Sequence, residues 1–276
     1  MTDRRRLATH YNLEKRLAAR IMNAPADRRA DVSLEAYDEL FRTIAWHDGH
    51  RIGGDRERKL REIYGPYLRR VGPTDEVLEV GCGLGEQARW FAERCRRYTG
   101  IDISEEVLTL RGELPANTDL RIVDAVNLAP FADDSFDVAF SSQLVEHLHP
   151  EDVPVHMEEV ARVLRPGGRY MLETPNRVTG PHDVSRAFDD VATCFHLKEW
   201  TNGELLRVMR AAGFRRFRSP LFRQAAYDKN PRLARLAEFP TDWKRPIEAL
   251  VGRLPVRWRQ KLGTALRLRI TIEAWT

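Results

Sequence analysis

The chain has 276 residues, of which 31% are charged, with a net charge of +4 and a mean hydropathy of −0.49. It is long enough for one large domain or two small ones, and it lacks the run of about 18 apolar residues that a membrane-spanning helix needs. Three scattered cysteines and an N-terminus without a secretory pattern exclude a disulfide-rich secreted protein, so we expect a soluble, cytoplasmic one.

Residues 1–74 are predicted to form a helical arm and lid in front of the core. Residues 1–30 are arginine-rich and only weakly periodic, whereas apolar side chains recur at helical spacing from Leu34 to Ile44, after Ser33 as the expected N-cap. A second helix is expected around residues 56–71. Three aromatic and histidine side chains between the helices are expected to pack within the lid: Trp46, His47 and His50.

A glycine-rich turn follows, in the run VLEVGCGLG of residues 77–85. Apolar residues running into Gly81, Gly83 and Gly85 predict a strand, a tight turn and the start of a helix. Glycine permits a positive φ and lets a ligand lie against the backbone, where the N–H groups of the new helix can donate to it. The spacing is G-x-G-x-G after Glu79, and it lacks the third glycine of the dinucleotide fingerprint.

This run resembles the first motif of the class I S-adenosylmethionine-dependent methyltransferases. The resemblance continues through GIDIS, DAVNLAPF, FDVAFSSQLVEHL, VLRPGG and AAGF, over residues 76–222. It implies S-adenosylmethionine as the cofactor, and it places these residues in the cofactor site: Glu79, Gly81, Cys82, Gly83 and Gly85.

Two carboxylates after the next strands are expected to hold the adenosine part of that cofactor. Asp102 lies about 20 residues beyond the turn, where a carboxylate can accept from both ribose hydroxyls, and Ile103 is beside it. By resemblance, Asp124 and Ala125 contact the adenine. Ser142 and Gln143, after the fourth strand, are expected on the same rim.

The alternation of strands and helices predicts an α/β fold. The resemblance implies a Rossmann-like, seven-stranded, mostly parallel sheet with helices on both faces and an antiparallel last strand. Residues 75–223 form the predicted core and residues 267–276 its last strand. Thr201 and Glu204 predict a capping box at the start of the helix that follows the fifth strand.

Three histidines on rim segments are candidate general bases for a hydroxyl acceptor. His147 belongs to the EHL segment, which the family places beside the substrate, and His182 and His196 follow the fifth strand. Asp183 is placed to orient His182. An equally acceptable role for His147 is to shape the pocket through local hydrogen bonds.

We expect no required metal. Some related quinone-precursor O-methyltransferases carry a glutamate three residues before the Glu-His pair and bind a divalent cation there. Gln143 occupies that position in this chain, and an amide is a poorer ligand for a hard cation.

The acceptor is predicted to be a hydroxyl of a small molecule or glycan, since TPNRVTGPHDVSRAFDD resembles methyltransferases of surface-glycan or secondary-metabolite pathways. One alternative is a nucleic-acid methyltransferase that uses the basic C-terminal region; the absence of the Pro-Pro-aromatic motif of base-amine methyltransferases argues against it. A second alternative is a SAM-binding protein without transferase activity, although none of the cofactor motifs is broken.

The C-terminal region has a character of its own. Residues 211–276 hold 15 lysine and arginine residues against five aspartate and glutamate residues. Residues 224–266 are predicted to be a basic helical insertion or cap. The amphipathic pattern in residues 247–268 permits peripheral contact with an anionic membrane, here the inner membrane surface, although packing of the apolar stripe on the domain is the commoner arrangement.

Overall fold

The fold is taken from a computed structural model, which describes residues 3–44, 64–65, 67–85, 87–105, 114–220, 230 and 238–276. The helices with described bounds are α1 (Asp3–Met22), α2 (Arg29–Thr43), α3 (Ala88–Ala92), α4 (Val153–Val163), α5 (Asn202–Ala211), α6 (Lys244–Val251) and α7 (Val256–Ala265). The strands are β1 (Glu76–Val80), β2 (Arg97–Asp102), β3 (Thr118–Ile122), β4 (Phe136–Ser142), β5 (Leu164–Thr174), β6 (Arg216–Pro220), β7 (Glu238–Pro240) and β8 (Ile270–Trp275). The lid residues Trp46, His47 and His50 lie outside the described ranges, as does most of the helix expected around residues 56–71.

One mixed sheet organises the core, in the order β3-β2-β1-β4-β5-β8-β6-β7. Strands β1 to β5 are parallel to one another, whereas β8 runs antiparallel between β5 and β6, with Ile272 opposite Leu172. The predicted mostly parallel sheet and its antiparallel last strand are therefore confirmed.

The sheet differs from the prediction by one strand. Within the described residues it has eight strands, because Glu238–Pro240 pairs antiparallel with β6 and extends that edge. This strand lies inside residues 224–266, which were expected to be helical. A proline at the end of so short an edge strand limits further pairing along it.

Alternation along β1 divides the core between two faces of the sheet. Leu78 and Val80 belong to a cluster that includes Met157 of α4 and Leu206 of α5, whereas Val77 packs in a second cluster on the other side, with α3. Because successive side chains of a strand point to opposite faces, one short apolar run supplies both cores. Helices therefore cover both faces, as predicted.

The N-terminal region is more ordered than its periodicity indicates. Helix α1 spans Asp3–Met22, and its buried side chains Leu17 and Ile21 share an apolar cluster with Leu40 of α2. Helix α2 begins at Arg29, so Ser33 lies within its first turns and is not the N-cap. The two helices form a paired cover that reaches Phe195, in the segment between β5 and α5.

Helix α5 begins as predicted, with Thr201 and Glu204 forming a capping box. A second carboxylate also reaches its N-terminus. Glu248 of α6 is buried and accepts hydrogen bonds from the backbone N–H groups of Asn202 (3.0 Å) and Gly203 (3.2 Å) and from the side chain of Asn176 (2.5 Å). An anion at a helix N-terminus satisfies free donors and opposes the helix dipole, so Glu248 joins the C-terminal helices to the core.

We expect Glu248→Ala to lower the free energy of unfolding by about 3 kcal/mol, because it leaves several buried donors without an acceptor. The measurement is urea denaturation followed by circular dichroism. Asp242→Ala is the matched control: the Asp242 side chain is 43% exposed and pairs with Arg210 and Arg245 at the surface, so its loss is expected to cost about 1 kcal/mol or less. Equal losses in the two variants would contradict the structural role assigned to Glu248.

Candidate functional site

A cavity of about 670 Å³ opens at the carboxyl ends of β1, β2 and β4. This is the edge at which open α/β sheets bind ligands. Its floor is the turn after β1, and α2 forms part of its cover through Leu34, Tyr37 and Phe41.

The turn after β1 holds an open, left-handed backbone. Gly81 and Gly83 have φ values of +75° and +52°, which residues other than glycine rarely adopt. A Cβ at Gly83 would meet nothing within 4 Å. The N–H groups of Gly81 and Cys82 both donate to the carbonyl of Ile101, at 2.8 and 2.9 Å. Gly83 therefore exposes its backbone to the cavity, on a turn that the hydrogen bonds to Ile101 hold in place.

The two predicted adenosine-binding carboxylates both line this cavity. Asp102 accepts hydrogen bonds from the N–H groups of Gly83 (2.9 Å) and Ser104 (3.0 Å), and Asp124 accepts one from Val126 (3.0 Å). Burial raises the pKa of Asp124 above its ordinary value. Each carboxylate is thus oriented by backbone donors while it remains on the cavity wall.

Most of the other predicted cofactor residues lie on the same wall, namely Gly81, Cys82, Gly83, Ile103, Ala125, Ser142 and Gln143. Glu79 and Gly85 are not among the described residues that line the cavity. Glu79 is buried beneath the turn, where it accepts a hydrogen bond from the Tyr98 hydroxyl, and burial raises its pKa to about 8. The structure thus gives Glu79 a supporting position under the turn; its contact with cofactor stays a prediction.

The end of β4 carries backbone strain. Gln143 has a φ of +54°, which is uncommon for a residue with a side chain, and its N–H donates to the carbonyl of Glu173 at 2.9 Å. Beside it, the Ser142 hydroxyl and the Tyr64 hydroxyl lie 2.6 Å apart. The strained residue turns the chain from β4 into the segment that carries His147.

Of the three predicted histidines, only His147 lies among the described residues of the cavity wall. Its Nδ1 is 3.0 Å from the carbonyl oxygen of Phe195. A carbonyl only accepts, so Nδ1 carries the proton in the neutral ring and Nε2 carries the lone pair.

His182 and His196 instead meet on one buried carboxylate. Glu199 contacts Nδ1 of His182 at 3.2 Å and Nδ1 of His196 at 2.9 Å. Burial alone would raise the pKa of Glu199, but the hydrogen bonds from the two histidines outweigh it and lower the pKa to about 2. Burial alone would lower the pKa of His196, but the hydrogen bond to Glu199 raises it.

Glu199, rather than Asp183, orients His182, which corrects the prediction made from sequence adjacency. The His182 ring also makes a hydrogen bond with the Thr179 hydroxyl, at 3.1 Å. Asp183 accepts hydrogen bonds from the backbone N–H groups of Ser185 (3.0 Å), Cys194 (3.2 Å) and His196 (3.4 Å). It therefore shapes the loop that holds His196.

Glu146 adds a further buried carboxyl group beside His147 and His196. Its Oε2 accepts a hydrogen bond from the Thr174 hydroxyl at 2.8 Å, its Oε1 has no hydrogen-bond partner among the described residues, and burial raises its pKa to about 7. One ligand atom from each of Glu146, His147 and His196 lies within 4.8 Å of the others. The described chain therefore has a group that could hold a divalent cation, on a ligand set that does not depend on Gln143.

Several residues of this site were not singled out from sequence. Tyr37 lies within the apolar helical pattern of Leu34 to Ile44, to which no site role was given, yet it lines the cavity and its ring centroid is 6.3 Å from that of His147. Arg29 pairs with Asp152 at 2.5 Å, and both residues line the cavity. Charge complementarity gives no sequence signal across more than 100 residues, whereas the spacing of Glu199 from His196 could have indicated a pair.

Comparison with known proteins finds a methyltransferase domain in this part of the chain. A family model described as a methyltransferase domain matches residues 78–172. A protein of Mycolicibacterium smegmatis named a "probable S-adenosylmethionine-dependent methyltransferase" is 37% identical over 158 residues, covering 57% of this chain and 58% of its own. The 27-O-demethylrifamycin SV methyltransferase of Amycolatopsis mediterranei is 39% identical over 154 residues, covering 53% of this chain and 55% of its own. The chain thus spans little more than half the length of these relatives.

Solved structures share the fold. An S-adenosylmethionine-dependent methyltransferase from Archaeoglobus fulgidus aligns with a TM-score of 0.54 and 21% identity, over 87% of this chain and 98% of its own. One from Mesorhizobium loti aligns with a TM-score of 0.50 and 20% identity, over 77% of this chain and 97% of its own. Residues 78–172 thus match a methyltransferase domain, and the chain shares the fold of S-adenosylmethionine-dependent methyltransferases.

Proposed function

We propose that the chain is an S-adenosylmethionine-dependent methyltransferase that moves a methyl group to a hydroxyl of a small molecule or glycan. The observation that carries the proposal is that the open backbone of Gly83, the carboxylates of Asp102 and Asp124, and the imidazole of His147 all line one cavity. A nucleoside-binding wall and a candidate base therefore face the same space.

The cavity fits the cofactor in size and chemistry. A volume of about 670 Å³ lies within the range of small-molecule sites. Asp102 would accept from the ribose hydroxyls, Asp124 from the adenine amine, and the bare turn at Gly83 leaves room for the amino acid portion. When bound, S-adenosylmethionine supplies an electrophilic methyl group on sulfur; the chain has to align the acceptor with it and keep water out.

His147 is the residue we assign to the acceptor's proton. Its tautomer is fixed by the Phe195 carbonyl, and its ring centroid is 5.0 Å from that of His196, which Glu199 holds in place. A neutral imidazole whose Nε2 carries the lone pair can accept the proton that a hydroxyl loses as it attacks. His182 and His196 support this arrangement through Glu199.

Two relatives favour oxygen as the acceptor atom. One is the 27-O-demethylrifamycin SV methyltransferase, and the other is a malonyl-[acyl-carrier protein] O-methyltransferase of Serratia marcescens, 31% identical over 123 residues and covering 44% of this chain and 47% of its own. Their acceptor groups differ, since a malonyl group offers a carboxylate oxygen, so the two relatives together support oxygen as the acceptor atom rather than a hydroxyl in particular.

Cofactor binding is tested by calorimetry with S-adenosylmethionine and its demethylated product. We expect both to bind, and we expect Asp102→Ala to weaken binding at least about tenfold, because a charge-assisted ribose contact and the anchor of Gly83 are lost. Asp38→Ala, on the exposed side of α2, is the matched control and should bind as the wild type does. Heat with NAD or a nucleoside triphosphate, and none with S-adenosylmethionine, would overturn the assignment.

The transfer itself is tested by incubating the chain with methyl-labelled S-adenosylmethionine and with glycan, lipid, small-molecule and nucleic-acid extracts of the source cells. We expect label in a hydroxyl-bearing small molecule or glycan, identified by mass spectrometry. Label in nucleic acid would favour the alternative that uses the basic C-terminal region. Binding without label in any extract would favour a SAM-binding protein without transferase activity.

The assignment of the base to His147 is tested by comparing substitutions of two histidines. We expect His147→Asn to lower the single-turnover rate about a hundredfold or more, because the cavity loses its proton acceptor. His182→Asn is the comparison, since the His182 side chain is 32% exposed and is not among the described residues of the cavity wall. A wild-type rate in His147→Asn, with cofactor affinity unchanged, would rule this histidine out.

We expect transfer to continue after exhaustive chelation, in line with Gln143 at the position of a metal-binding glutamate. The measurement is the single-turnover rate of chelator-treated protein with and without added Mg²⁺ or Zn²⁺. Loss of activity that either ion restores would show that a metal is required; Glu146, His147 and His196 would be its candidate ligands, and the assignment of His147 as a free base would then fail.

A further inference from the structure

The two C-terminal helices, the turn between them and the residue after α7 expose large apolar side chains at every fourth position. Five residues four apart are 37–69% exposed, and we call them the apolar stripe: Leu250, Leu254, Trp258, Leu262 and Leu266. The sequence pattern alone favours burial of such a row against the domain, since that is what amphipathic helices usually do. The structure places the row on the surface.

The other side of α7 explains this orientation. Gly263 faces the domain so closely that a Cβ there would lie 2.5 Å from Cγ2 of Thr179. The Gln260 side chain donates to the carbonyl of Gly180 at 3.1 Å, and the Arg259 side chain donates to the carbonyl of Asp190 at 2.8 Å. The helix is therefore attached through a glycine and polar contacts, which leaves its apolar row outward.

Basic residues border the stripe. Arg253, Arg257 and Lys261 each precede a stripe residue, and the charges of Arg257 and Lys261 lie 5.9 and 5.8 Å from the Trp258 ring centroid. Among the described residues none forms an ion pair with these three side chains. The sequence between Glu248 and Glu273 has six lysine and arginine residues and no aspartate or glutamate.

We infer that this face docks on an anionic lipid bilayer, with the apolar stripe in the headgroup region and the basic residues against lipid phosphates. An apolar row with an interfacial tryptophan and a cationic border is the combination by which surface helices bind anionic membranes. A second copy of the chain would bring two cationic borders together, which repel, and nucleic acid would leave the apolar row unused.

The docking is peripheral. No helix in the described ranges has the length and apolar character to cross a bilayer. Thr179, Gly180 and Asp190, on which α7 rests, belong to the segment between β5 and α5 that also carries His182 and His196. Membrane contact would therefore be made beside the loop that completes the candidate site. The inference does not depend on methyl transfer.

The test is co-sedimentation of the full chain with vesicles of phosphatidylglycerol and phosphatidylcholine in equal parts, or of phosphatidylcholine alone. We expect binding to the anionic vesicles to be at least about tenfold stronger and to weaken as salt screens it. Two triple variants, Leu254→Ser/Trp258→Ser/Leu262→Ser and Arg253→Gln/Arg257→Gln/Lys261→Gln, should each lose at least about tenfold in affinity. The matched control is Leu7→Ser/Arg215→Gln, which alters exposed side chains elsewhere.

Circular dichroism and binding of S-adenosylmethionine check that the variants fold. As a second measurement, tail-brominated lipid should quench the tryptophan fluorescence of the wild type more than that of Trp258→Phe, which keeps the stripe apolar. Equal binding to neutral vesicles, or full binding by either triple variant, would overturn the inference. So would a concentration-dependent dimer in sedimentation equilibrium that the serine variant abolishes, because the stripe would then join two copies.

Discussion

The register between β1 and β2 is the constraint on which the candidate site depends. Val80 lies opposite Ile101 in the parallel pair, and this brings the Ile101 carbonyl under the N–H groups of Gly81 and Cys82. The next residue, Asp102, then accepts from Gly83. A slip of one residue would turn Asp102 toward the other face of the sheet, and both the turn and the carboxylate would lose their partners. The positions of the glycine turn and of Asp102 in the candidate site therefore follow from strand pairing.

The second half of the site depends on contacts between distant parts of the chain. The N-terminal helices hold the segment between β5 and α5: Tyr11 donates to Asp189 at 2.7 Å, and Glu14 accepts from the backbone N–H of Phe195 at 3.4 Å. The same Phe195 offers its carbonyl to His147. The cover, the loop and the candidate base therefore form one connected unit. A perturbation of α1 would reach His147 through backbone groups without touching the cavity.

These two halves differ in how well sequence could predict them. The glycine turn and Asp102 were predictable because local spacing along strand–turn–helix units fixes where their groups emerge, whereas Asp124 followed from the resemblance to the methyltransferase motifs. The convergence of His147, His196 and Glu199 was not, because it depends on the path of a loop without periodicity. Adjacency in sequence suggested that Asp183 would orient His182, but both oxygens of the Asp183 carboxylate accept hydrogen bonds from backbone N–H groups of that loop.

Periodicity fails in a different way at the two ends of the chain. In α1, arginines dilute the pattern, yet Leu17 and Ile21 are buried, because a paired helix needs only a narrow apolar seam. In α7 the apolar periodicity is clear, but it does not show whether the apolar face meets the domain or the solvent. The orientation of the helix depends on its opposite side, where Gly263 allows close approach to Thr179. The small residue, which carries almost no hydrophobic signal, therefore determines that the large ones point outward.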